Sequence, residues 1–353
     1  MCAQGMTAAP LDERSREVLK GLIQIHIATG EPVGSESLSH ALPTRLSPAT
    51  LRNIMADLER RGYLSHPHTS AGRVPTDEGY RAYVDSLTGL APLTRSDAQA
   101  IESGLLAAGG PSSRVLENAS RVLSRLSHNV GFVLGPDIGR ASFMHVDLVR
   151  LPHPKILVVM VSRTGLVTNK LIEVEEQLTQ DDLQACANYL NTHFAGMGLA
   201  AIRSRLLQMM SEEKALYDTL LKRVISVGER AFAGDAAEPS VFLDGTSNIF
   251  DQPEFEDLDR MRALFKTFEE KSRLVRILNA CIVGDGIRIL IGHETPDPGL
   301  HGLSVVTASY AGAGETGWGV GVLGSTRMEY ARVIALVDHV GRAVRTALTE
   351  LGS

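Results

Sequence analysis

Between Ser47 and Gly62 the chain carries every local signal of one helix and the shape of its two faces. Ser47 is an N-cap residue and Pro48 occupies the first helical position, where its missing N–H costs nothing. Leu51, Ile54, Met55 and Leu58 recur at i, i+3, i+4 and i+7, so they form one buried stripe. Gly62 is a natural stop. With that stripe inside, Ala49, Thr50, Arg52, Asn53, Ala56, Asp57 and Arg60 are left facing outward. The outer face of its first two turns is short, polar and cationic.

The flanking pattern places this helix third in a series. Val18, Leu19, Leu22, Ile23 and Ile27 predict a first helix, stopped by Gly30. Ser35 is a plausible N-cap for a two-turn helix carrying Leu38, Ala41 and Leu42, ended by Pro43. After the third helix come two short extended pieces around a turn, Tyr63 to Pro75. A helix from Thr76 with Tyr80, Tyr83, Val84 and Leu87 follows. Three helices and a small hairpin are the order of a winged helix-turn-helix, expected over 11–88.

The rest predicts an α+β body. Residues 1–10 read as a disordered tail without the features of a signal peptide, and 89–110 as a linker with a possible helix from Asp97. Strands are expected at Val130 to Leu134, Phe143 to Leu151, Lys155 to Val161 and Leu166 to Val174. Others are expected at Val241 to Leu243, Ile287 to Gly292, Leu303 to Tyr310 and Trp318 to Leu323. Between them 178–237 looks all helical. The expected arrangement is one α+β domain, 111–177 plus 238–350, whose strands share one sheet, interrupted by a helical insertion.

The net charge of −6 and pI of about 6.0 speak against a nucleic-acid partner for the chain as a whole. From Arg45 to Arg73, however, five arginines face two acids, a local surplus of three positive charges. Arginine suits guanine and asparagine suits adenine, so Arg52 and Asn53 are the expected base readers. Ser35, Ser47, Thr50, Arg60 and His68 are further candidate contacts, and Arg73 is expected at the wing, against a phosphate or in a minor groove.

Several runs carry a resemblance. Gly30-Glu31-Pro32-Val33-Gly34-Ser35, the run from Ser47 to Glu59 continuing to Gly62-Tyr63-Leu64, and Thr69-Ser70-Ala71-Gly72-Arg73-Val74-Pro75-Thr76-Asp77 resemble the heat-inducible transcription repressor family HrcA. So do Gly245-Thr246-Ser247-Asn248-Ile249 with Pro253-Glu254-Phe255, and Gly321 to Tyr330. The matching runs lie across about residues 11 to 345. The resemblance implies a winged-helix domain and a GAF-like domain with an inserted helical dimerisation domain. It also implies a homodimer repressing chaperone operons at the CIRCE inverted repeat, and dependence on the GroEL chaperonin.

Other patterns point less far. Gly319-Val320-Gly321-Val322-Leu323-Gly324 matches a dinucleotide fingerprint, but only a helix follows and no strand with an acid about 20 residues on. Close packing at a strand end is expected instead. His66 and His68 lack a third metal ligand nearby, and His293-Glu294 reads as a solvated strand end. Cys2, Cys186 and Cys281 form no disulfide framework, so a cytoplasmic location is expected. No uninterrupted apolar run reaches the length of a membrane span. No catalytic constellation is visible, so an enzyme is not expected, and no cofactor is implied. The alternative function is a winged-helix regulator switched by a small-molecule effector in the GAF-like domain.

Overall fold

The computed structural model describes residues 11–351, apart from 45, 68–71, 88, 107–111, 136–141, 163–166, 212–218, 233–240, 251–261, 263, 265, 269, 283–285 and 313–314. The N-terminal head consists of α1 (Glu13–Thr29), α2 (Ser35–Ala41), α3 (Pro48–Arg60), β1 (Leu64–Ser65), β2 (Val74–Pro75) and α4 (Asp77–Asp85). Asp12 caps α1 by accepting the Ser15 N–H at 2.9 Å, and Gly30 ends it at φ +75°, where glycine pays no steric penalty. Val18, Leu19, Leu22 and Ile23 of α1 meet Leu38 and Leu42, and Leu51, Met55 and Leu58 of α3, in one core. β1 and β2 pair antiparallel, Leu64 with Pro75 and Ser65 with Val74. Beyond them Val33 and Arg73 exchange two backbone hydrogen bonds of 2.9 Å, so the link between α1 and α2 adds a third extended segment.

The body is built on a five-stranded antiparallel sheet. Its strands are β3 (Val130–Leu134), β7 (Val241–Asp244), β8 (Gly286–Ile291), β9 (Leu303–Gly312) and β10 (Glu315–Ser325), in the order β7-β3-β10-β9-β8. Alternate residues bury opposite faces. Val133, Val306, Ala308, Val320 and Val322 turn to α5 (Arg95–Leu106), α6 (Ser112–Ser127) and the final helix. Phe132, Leu303, Val305 and Leu323 turn to the other side, where α11 (Lys271–Cys281) supplies Leu274, Ile277 and Leu278. A short helix, α10 (Ser247–Phe250), follows β7, and α12 (Tyr330–Leu351) closes the chain. The stretch expected as a linker holds α5, whose Ile101 and Leu105 are buried in this core.

One expectation about the sheet is corrected. β4 (Phe143–Arg150), β5 (Lys155–Ser162) and β6 (Val167–Glu173) do not join the five-stranded sheet. They form their own antiparallel sheet and share a separate core with α7 (Gln180–Phe194), α8 (Leu199–Ser211) and α9 (Thr219–Phe232). The dividing line expected at 178 therefore runs through a unit that pairing and burial hold together, and the insertion is mixed rather than all helical. Its ends meet: Leu134, the last residue of β3, pairs with Val241, the first of β7. The chain leaves and re-enters the main sheet at adjacent points, so the main sheet closes behind the excursion.

The three glycines of the Gly319–Gly324 run sit on β10, antiparallel to both neighbours. A side chain at Gly321 would run into the Phe132 ring, and one at Gly324 into Asn129. They are glycines of close packing, and the antiparallel pairing is not that of a dinucleotide-binding unit.

Head and body share one core. Tyr330, at the start of α12, is wholly buried, with its ring 6.0 Å from that of Tyr80 on α4. Its hydroxyl lies 2.8 Å from the Ser304 hydroxyl and donates to the Thr326 carbonyl at 2.8 Å. Around this contact is a polar clasp. Asp77 accepts the His293 N–H at 3.0 Å, and His293 Nδ1 lies 2.6 Å from the same carboxylate. Arg81 donates to Glu294 at 2.8 Å and to the Ile289 carbonyl at 2.7 Å. The strand end expected to be merely solvated thus grips α4. Burial pushes the Glu294 carboxyl up, but the Arg81 hydrogen bond and a bond from the Ile291 N–H outweigh it and hold the pKa below its ordinary value. The Arg81–Glu294 pair is accordingly charged at neutral pH, and its contribution is lost as the pH falls through that lowered pKa.

Candidate nucleic-acid interface

On α3 the cap forms as the spacing predicts. The Ser47 hydroxyl accepts the Thr50 N–H at 3.2 Å and lies 2.9 Å from the Thr50 hydroxyl. Leu51, Met55 and Leu58 are buried, Ile54 is partly buried, and Ser47, Arg52, Asn53 and Arg60 are exposed. Arg52 and Asn53 therefore stand side by side on the open face of the helix, one turn from its N-terminus.

Arg60, Arg61 and Arg73 are tethered by nearby acids. Arg60 donates to Asp57 at 2.8 Å, and Arg61 lies 3.9 Å from the same carboxylate and 5.7 Å above the Tyr63 ring. Arg73 Nε lies 2.8 Å from Glu59 Oε2, an ion pair between β2's leading end and α3. The two cationic elements are thus joined through Glu59, one of the two acids of this segment. His68 and the rest of the turn, 68–71, lie outside the described residues.

Ser35 differs from its expected place. Gly34 holds the cap position of α2, and Ser35 is the first helical residue. Its hydroxyl is taken by Arg52, whose Nε–H donates to it at 3.2 Å. Among the described residues no three His, Cys, Asp or Glu side chains gather as a metal site, and no helix is long and apolar enough to cross a membrane. Burial pushes the Cys186 and Cys281 thiols up to about 11, away from the thiolate form that reacts.

The contacts that join Asp77 and Arg81 to His293 and Glu294, and Glu59 to Arg73, are not legible in the sequence. The partners lie up to 216 residues apart, and no local pattern marks such a pair.

A compact head that exposes an arginine and an asparagine near a helix N-terminus, fixed on a larger α+β body, has the layout of a transcriptional regulator. Residues 113–334 match the family described as HrcA protein C terminal domain. The chain is 42% identical to the heat-inducible transcription repressor HrcA of Geobacter sulfurreducens, over 96% of this chain and 98% of that one. It is 36% identical to that of Syntrophobacter fumaroxidans, over 97% and 99%. The chain belongs to the HrcA family of heat-inducible transcription repressors. A crystal structure described only as a hypothetical protein shares the fold at TM-score 0.64 and 22% identity, covering 97% of this chain and all of the other.

Proposed function

We propose that the head is a winged helix whose α3 enters the major groove, and that two copies of the chain bind an inverted-repeat operator of the CIRCE type ahead of chaperone genes. The observation that carries this reading is the division of α3. One face is locked into the core by Leu51, Met55 and Leu58, and the opposite face holds Arg52 and Asn53 in the open. Arg52 and Asn53 read bases. Ser47, Thr50, Arg60 and Arg73 hold the backbone, with His68 on the wing turn. The body is GAF-like in this reading, and release by heat or by shortage of the GroEL chaperonin follows the family resemblance, as does the cytoplasmic location.

Pairing is assigned to the insertion. Its helices bury their apolar residues against one face of the β4–β6 sheet, and among the described residues the other face leaves several apolar side chains exposed. Met144, Val149, Val167 and Leu171 are 55%, 42%, 57% and 51% exposed, with Leu157 beside Val149 and Leu171 in the register. An apolar surface of this kind marks an interaction site. The sheet, rather than the inserted helices, is the better candidate for the dimer contact, which would set two α3 helices at the spacing of a two-fold repeat.

Alanine at Arg52 or Asn53 is expected to weaken operator binding by about 1–3 kcal/mol and relax discrimination at one position of each half-site. Fluorescence anisotropy with single base-pair replacements checks this; wild-type affinity would remove these two residues as readers. Alanine at Arg73 is expected to weaken binding to every duplex alike and reduce the salt slope by about one. An unchanged slope would take Arg73 off the phosphate contacts.

The effector-switched alternative has one observation in its favour. A cleft of about 260 Å³ lies where Ile27 of the head meets His128, Arg327, Glu329 and Arg332 of the body. The Arg327 guanidinium already donates across it to the Ile27 carbonyl at 3.2 Å. A thermal-shift screen of small anions tests that reading.

A further inference from the structure

We infer that Ser35 is a positioning residue for specificity: it does not touch DNA, but orients the Arg52 guanidinium for guanine. This deepens the reading of Arg52 as a base reader and rests on it. Three observations carry it. The Arg52 Nε–H donates to the Ser35 hydroxyl at 3.2 Å. Ser35 is only 9% exposed and Arg52 lies in the open, so the acceptor is anchored in the core while the cation reaches outward. Gly34 occupies the α2 cap, so the Ser35 hydroxyl does not serve as the helix cap and accepts the arginine instead.

The geometry of arginine makes this bond consequential. A free arginine samples many rotamers, and ordering it on binding costs conformational entropy. A hydrogen bond at Nε pins the plane of the guanidinium near its root. The two Nη groups at the tip remain to form the end-on fork that matches guanine O6 and N7. The link spans 17 residues, from the first turn of α2 to the first turn and a half of α3, so it also fixes the reading helix against its supporting helix. Ser35 would then contribute to discrimination between bases rather than to affinity for the phosphate backbone.

The test is a double-mutant cycle in the full-length protein, with Ser35→Ala, Arg52→Ala and both together. The probe is a duplex bearing the CIRCE inverted repeat and a panel of its single base-pair replacements. Thermal melts of all four proteins establish that each is folded. Ser35→Ala is expected to lose about 3–10-fold in discrimination at the position that Arg52 reads, the scale of one hydrogen bond, with other positions unchanged. In the Arg52→Ala background it is expected to have no further effect. A loss equal on every duplex and persisting without Arg52 would make Ser35 a direct backbone contact and overturn the inference. So would unchanged discrimination in Ser35→Ala while Arg52→Ala relaxes one position; in that case the base reader stands without its support. Arg52→Ala that relaxes no position would instead sink the reading of Arg52 itself.

Discussion

Aspartate in place of Leu171 is expected to separate the proposed dimer and lower operator affinity by about 10²–10⁴-fold, the range over which linking two binding modules multiplies affinity. Leu171 is 51% exposed on the insertion's sheet, directly across from Leu157. A carboxylate there meets water in the monomer and costs the fold little. In a paired face it would be desolvated without a partner. Sedimentation gives the mass, anisotropy gives the affinity, and circular dichroism verifies an unchanged helix content. A Leu171→Asp protein that remains dimeric at the wild-type association constant would move the contact away from this sheet. The loss of affinity should exceed that of any single reader, because one change removes a whole half-site from simultaneous engagement.

Alanine in place of Tyr330 is expected to destabilise the protein by about 3–5 kcal/mol, the scale for emptying a buried aromatic site. The ring fills the junction between α4 and the body, and its loss also strips the Ser304 hydroxyl of a buried partner. Burial pushes the phenol pKa well above its ordinary value, so Tyr330 is a neutral donor at neutral pH. Phenylalanine keeps the ring and loses only the hydrogen bonds, so its cost is expected near 1 kcal/mol. Urea unfolding of the two variants measures both. A Tyr330→Ala protein within 1 kcal/mol of wild type, on the same scale of buried-ring loss, would contradict the continuous core. Because that core joins the head to the body, the alanine variant is also expected to loosen the head and weaken operator binding, whereas the phenylalanine variant should bind normally.

How far each feature could be read in advance follows the distance over which its cause acts. The α3 helix was legible from cap to stop because Ser47, Pro48, the Leu51–Leu58 stripe and Gly62 act within a few residues of one another. β3, β5 and β6 were legible within a residue or two, since alternation and turn residues are equally local. Their partners were not. Nothing in Phe143–Arg150 says whether it pairs with Lys155–Ser162 alone or also with the sheet of Val130–Leu134. The glycine run on β10 shows the same limit: its spacing fits two structures, and only the direction of its neighbours separates them.

The candidate interface divides along the same line. The sequence alone determined which residues of α3 turn inward and which turn outward, because helical periodicity assigns a face to each position. It also determined that positive charge gathers around that helix in a chain that is acidic overall. Tertiary structure decided what those side chains do. It tied Arg73 to Glu59, set Arg52 on Ser35, drew Asp77 and Arg81 onto His293 and Glu294, and left Met144, Val149, Val167 and Leu171 of the inserted sheet exposed. A hydrogen bond between residues tens or hundreds of positions apart is made by the folded backbone bringing them together, and the local pattern around either one carries no trace of the other.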